Sequence, residues 1–165
     1  MAGPKTTITG DRTLSHSRSV LNELAKFDAL SCEMVIKGTY PTRGESVAKI
    51  VFWHEFGTAK MVARPLLRQA QRSTGAVVAT TAQALNEIKT KNRKAETAAQ
   101  HIAQKMASLV VEAVQSASGW AAPLKDSTIA KKGHSAPLLD SGLLLKSIYW
   151  RVTKSGAIVR EGRAQ

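Results

Sequence analysis

"VAKIVFWHEFGTAKMVARPLLRQA", Val47 to Ala70, holds the change of period on which the fold turns. Its first ten residues are β-branched, aromatic and apolar and read as a strand. They follow a similar run, "CEMVIKG", and a turn-rich segment, "TYPTRGES", with Pro41 and Gly44. The two runs predict a hairpin with a long, basic tip. Phe56 then ends the strand's buried face, Gly57 supplies a backbone angle that other residues resist, and Pro65 suits the first turn of a helix. Glu55 and Arg64 stand at the two ends of this connection, and their opposite charges predict a pair that fixes its path.

Beyond Gly57 the apolar period changes from 2 to about 3.6. Leu67, Ala70, Thr74, Val78, Thr81, Leu85 and Ile88 fall on one helical face. The cationic segment "KTKNRK", residues 89–94, interrupts the pattern. A second long helix follows, with Ala95, Ala98, Ile102, Met106, Leu109, Val110, Ala113 and Val114 as its stripe and Gly119 as its stop. The two helices are expected to run antiparallel.

In the other direction, Val20, Leu21, Leu24 and Phe27 give a short amphipathic helix over 17–30, preceded by a polar arm, residues 1–16, too poor in apolar surface to order itself. Residues 118–139 read as a long loop in which Asp126 caps one turn. Asp140 or Ser141 caps a short helix through "GLLLKS"; "SIYWRV" and "AIVRE" then alternate as strands around the turn "TKSG". The expectation is an α+β fold. A small, mostly antiparallel sheet of about four strands is packed by two long central helices and a short N-terminal one. Residues 17–165 form a single domain, since 165 residues with 43% apolar composition suffice for one core.

The net charge of +12 predicts attraction to a polyanion, with nucleic acid the first candidate. Only 5% of residues are aromatic, too few for a stacking platform, so base reading is not expected. Arg64, Arg68 and Arg72, at i, i+4, i+8, predict a cationic stripe beside the apolar face. Arg43, then Lys89, Lys91, Arg93 and Lys94, and Lys131–Lys132 add basic loops. Such scattered charge suits sequence-blind contact with duplex backbone. Cys32 is the one cysteine and reads as a buried thiol of a reducing compartment. No apolar run reaches the ~20 residues of a membrane span, and the expectation is synthesis in the cytoplasm.

Catalytic patterns fail on spacing. His54-Glu55 begins like a zinc-protease motif, but Thr58 occupies the position where a second His is required. On a strand the two side chains also face opposite ways. His16, His54, His101 and His134 show no ligand spacing, so neither a metal site nor a cofactor is expected. Asp140-Ser141-Gly142 looks like the Asp-Ser-Gly of aspartic proteases. Only 25 residues follow Asp140, too few to complete such a protomer, so the helix-cap reading is preferred and no enzyme is expected.

Two segments together resemble the tail-completion, or head-tail joining, proteins of tailed bacteriophages. "HEFGT" followed by "ARPLLRQA" is similar to their signature EFGT…PARPFLRPA. "GWAAPLKDSTIAKKGHSAPLLDSGLLLKSIYWRV" is similar to a second stretch in one branch, where W-x-P-L-x-x-S-T-I-x-x-K-G leads into PLIDTGxLLxSIxYxV. The resemblance spans about Val51 to Val152. Val62 stands where Pro is usual, Leu66 for Phe, and Ser141 for Thr, all keeping apolar or hydroxyl character.

The resemblance implies a structural virion protein at the neck or tail, with His54, Glu55, Phe56, Gly57, Arg64, Pro65, Asp140, Ser141 and Gly142 as structural motif positions. It implies a homo-oligomeric ring, commonly six-fold, meeting a portal or adaptor protein on one side and the tail tube or its terminator on the other. Genomic double-stranded DNA would pass through its lumen, and Arg43, Arg68, Arg72, Lys89, Lys91, Arg93 and Lys94 are candidates for the lumen wall. A stand-alone, sequence-nonspecific DNA-binding protein is the alternative.

Overall fold

Ser46 decides what the opening stretch becomes. Its Oγ accepts a hydrogen bond from the Lys49 amide at 3.2 Å, which caps a helix rather than extending a strand. In the computed structural model, which describes residues 10–41, 44–139 and 141–164, with side chains from 15 onward, Val47–Phe56 is helical. The predicted hairpin is therefore absent. Val47, Val51 and Glu55, at i, i+4, i+8, form the buried line, and packing of that line overrides the strand preference of Val, Ile, Phe and Trp.

In chain order the elements are α1 (Gly10–Asp28), β1 (Leu30–Ile36), α2 (Val47–Phe56), α3 (Leu66–Gln71), α4 (Thr74–Lys91) and α5 (Ala95–Gln115). Then come α6 (Ala117–Trp120), α7 (Asp126–Lys132), α8 (Leu143–Lys146), β2 (Ile148–Lys154) and β3 (Ala157–Arg163). The mixed helix-and-sheet class agrees with expectation, but the sheet has three strands among the described residues because the expected fourth is α2. All pairs are antiparallel, in the order β1-β2-β3, with Ile36 opposite Ile148 and Leu30 opposite Lys154. Ser155 and Gly156, at φ 49° and 82°, make the tight β2–β3 turn, whose two central residues must both be left-handed.

The core lies between β2 and α5. Ile148, Trp150 and Val152 alternate into it from β2, and Ala99, Ala103 and Ala107 are fully buried on α5. Three alanines at four-residue spacing keep that face flat, so sheet and helix approach closely; Val110 and Val114 fill its far end. α5 packs against α1, α3, α4, α6 and all three strands, and most of its predicted stripe is buried.

The expected single helix from Leu67 to Ile88 is broken at Arg72-Ser73. The break resets the helical phase: Thr74 and Val78 become exposed, while Ala84 and Glu87 take inward places beside Ile88. Asn92, at φ 49°, closes α4, and α5 begins three residues later, the short link of an antiparallel pair. The segment 118–139 is less irregular than its composition predicts, since it carries the end of α6 and all of α7, which Gly133 closes at φ 77°.

α1 starts at Gly10, within the segment expected to be an arm; residues 1–9 lie outside the described residues. Leu21, placed on the inner face by periodicity, is exposed. The helix is held instead by Glu23, only 4% exposed, whose carboxylate accepts from the Ala95 amide at 2.9 Å and from Lys26 at 2.8 Å, with Lys94 at 3.7 Å. A buried carboxylate thus caps the N-terminus of the longest helix. Glu23→Ala should cost about 2 kcal/mol at pH 7, the value of a cap plus an orphaned buried amide. The hydrogen bond from Lys26, then that from Ala95, holds the Glu23 pKa below its ordinary value. This stabilisation is therefore present above that ordinary value and is lost as pH falls through the folded one. Urea unfolding of both proteins should show the difference shrinking in acid. Among the described residues no helix is long and apolar enough to cross a membrane.

Candidate functional site

The end of α2 folds back on itself. Gly57, at φ 77°, donates its amide to the Trp53 carbonyl at 2.8 Å, and a Cβ there would meet Ala63 N and Met61 O at 3.1 Å. Thr58 and Met61 pair across the turn, and the Arg64 amide returns to the His54 carbonyl at 2.6 Å. Carbonyls that a helix end leaves open are so satisfied by the chain's own return. Pro65 stands one residue before α3, and its carbonyl accepts from the Gln69 amide at 2.9 Å.

Glu55 and Arg64 do not pair with each other. The Glu55 carboxylate, buried, accepts from the amides of Leu67 at 2.8 Å and Arg68 at 3.3 Å and so caps α3; Arg68 Nε lies 3.8 Å away. Arg64 turns elsewhere, donating through Nε to the Ala122 carbonyl at 2.7 Å and through Nη2 to the Pro123 carbonyl at 3.0 Å. It is 7% exposed, and burial lowers its pKa. One arginine thus satisfies two carbonyls of the irregular link between α6 and α7 and ties that link to α2. Phe56, expected to face inward, is exposed.

His54 lines a hollow of about 440 Å³ with Lys60, Arg64, Lys125 and Lys132, and among the described residues no carboxylate lines it. Its Nδ1 is buried without a partner among the described residues. Burial first, then the charges of Arg64 and Lys132, pull its pKa down to about 4. The ring is therefore neutral at pH 7, and Glu55, occupied at α3, does not serve it. The pair that suggested chemistry is divided: Glu55 caps α3, while the His54 ring faces the hollow. Because the unfolded chain binds the His54 proton near pH 6.5 and the folded one near 4, stability should fall by roughly 3 kcal/mol over that interval as pH falls. His54→Gln should remove this slope when unfolding free energy is followed from pH 7 to 4.

The cationic candidates are divided as well. Arg64 is buried, and Arg72 lies just past the end of α3, so no exposed stripe of three arginines exists. Arg68 and Arg72, both exposed, precede α4. Lys89, Lys91, Arg93 and Lys94 lie at its far end, about 27 Å away for 18 helical residues. At that end Glu87 sits 3.8 Å from Lys91 and 3.1 Å from Arg93, and Glu23 partly balances Lys94. Arg43 and Asp140 lie outside the described residues. Gly142, at φ 70°, takes the cap position of α8 expected for Asp140 or Ser141, and Ser141 is exposed. Cys32 donates to the Ala99 carbonyl at 3.3 Å, and burial raises its pKa, the behaviour of an inert thiol.

Sequence reasoning missed the exposed pair Phe52 and Phe56, 59% and 62% exposed, with ring centroids 4.8 Å apart. Once 47–56 is read as a helix, two aromatics at i, i+4 off the Val47–Val51–Glu55 line are the signal that finds them. Comparison of the chain with protein-family models, curated proteins and solved structures finds no match.

Proposed function

We propose that this chain is a structural virion protein of a tailed phage's neck or tail, one protomer of a ring that joins the head connector to the tail and passes DNA through its lumen. The observation that carries the reading is the use of the motif His54 to Pro65. Three of its positions are spent on architecture: Glu55 on α3, Arg64 on the α6–α7 link and Gly57 on the turn. A motif used in this way shapes a scaffold, and the exposed apolar residues beside it suit a chain that works by contact with other chains.

The charge of +12 is consistent with a wall along which duplex slides without being gripped. The two cationic ends of α4 are its candidates: Arg68 and Arg72 at one, Lys89, Lys91, Arg93 and Lys94 at the other. Portal or adaptor on one side, and tail tube or terminator on the other, are the partners this role requires.

Sedimentation velocity beside a duplex-DNA titration separates this role from the stand-alone DNA-binding protein. A ring-sized species that binds duplex weakly supports the proposal. A species that stays monomeric and binds duplex at low micromolar concentration, with steep salt dependence, transfers the chain to the alternative.

A further inference from the structure

Two open apolar surfaces differ in shape. Ala48, Phe52 and Phe56, at i, i+4, i+8 and all exposed, form a ridge along α2. A groove of about 450 Å³ opens between β1, α3, α4 and α5, with Met34, Leu67, Val77, Val78, Met106 and Leu109 in its walls. A benzene-sized guest needs about 150 Å³, so the groove has room for two phenyl rings and a flanking methyl. The ridge offers those groups, and no residue of α2 lines the groove. Two methionines in the wall suit aromatic rings, since thioether–aromatic contacts are favourable and the side chain adapts to what it meets.

We infer that the Phe52–Phe56 ridge of one copy of this chain seats in the groove of a second copy. Ridge and groove are different patches, so the contact is head-to-tail: each copy keeps a free ridge or a free groove until the series closes. Closure into a ring rests on the neck-protein role proposed above, whereas the pairwise contact does not. Phe52 and Phe56 are 59% and 62% exposed, so seating both buries about 180–300 Å² on the ridge side, well short of the ~800 Å² per partner of a stable pair. The isolated contact is accordingly loose.

Sedimentation equilibrium up to about 1 mM with one variant on each surface tests this. Phe56→Glu spoils the ridge and Val78→Glu the groove; both positions are exposed, 62% and 67%, so neither change touches the core. Each variant alone should be monomeric, its association weakened at least about thirtyfold. Phe56→Ala should weaken association in the same direction without adding charge. A 1:1 mixture of the two Glu variants should form a dimer and nothing larger, because it keeps one intact ridge and one intact groove. Wild-type association in Val78→Glu alone would mean that ridge meets ridge, and overturns the inference. So would a mixture that stays monomeric, unchanged association in both variants, or a wild-type chain that is monomeric throughout. The outcomes of the variants and their mixture do not bear on whether the chain resides in the phage neck, and a monomeric wild-type chain counts against that role only where it also binds duplex tightly; particles decide it.

Discussion

Gly162→Ala should cost about 3 kcal/mol, far more than the usual exchange of glycine for alanine in a strand. Gly162 lies opposite Trp150 in the β2–β3 pair, and a Cβ built on it would stand 2.5–2.9 Å from three atoms of the indole. Backbone on that strand cannot yield without breaking the pairing. The indole must leave its place against β3, and Trp150, 9% exposed in the native chain, is a large part of the apolar surface between β2 and α5. Urea unfolding should show the loss together with a red shift of tryptophan emission. A cost below about 1 kcal/mol would mean that the ring is not packed over Gly162.

Arg64→Met should cost a similar amount, about 3 kcal/mol, because two carbonyls of the α6–α7 link lose charge-assisted bonds inside the fold. Arg64→Lys should recover little of it, since one ammonium cannot reproduce the planar fork that reaches Ala122 and Pro123 together. A double-mutant cycle between Glu55 and Arg64 should give a coupling of about 0.5 kcal/mol or less, because each serves a different segment. Strong coupling would restore the direct pair that their charges suggest. Losing the Arg64 charge should also raise the His54 pKa, as charge and burial act on it in the same direction. NMR titration of the imidazole would read that change.

The sequence makes some of this architecture plain and hides the rest for identifiable reasons. α5 is legible because its apolar stripe keeps one period over 21 residues, packed against α4 on one side and the sheet on the other. The β2–β3 hairpin is legible because Ser155-Gly156 suits only a few turns. α2 is not, because Val47 to Phe56 is apolar on nearly every side and its period is masked; the cap at Ser46 was the stronger signal. The phase of α4 is hidden by the break at Arg72-Ser73, which is marked only by the short run Ser73-Thr74-Gly75 inside a continuing helical period.

At the site, the positions that matter were legible and their partners were not. Glu55 and Arg64 stand out by charge and place in the motif, yet their contacts go to backbone groups, which have no residue type to betray them. The Glu23 cap on α5 joins residues 72 apart for the same reason. Backbone amides and carbonyls accept any suitably placed partner, so pairing charge with charge along the chain misses them.

The claim that this chain is a neck or tail protein is tested most directly by its place in the particle. Antibody to the chain, applied to purified particles of a phage that encodes it and viewed by electron microscopy, should label the junction between head and tail, once per particle. Particles that lack the chain, or that carry it in the shell or the fibres instead, would contradict the account.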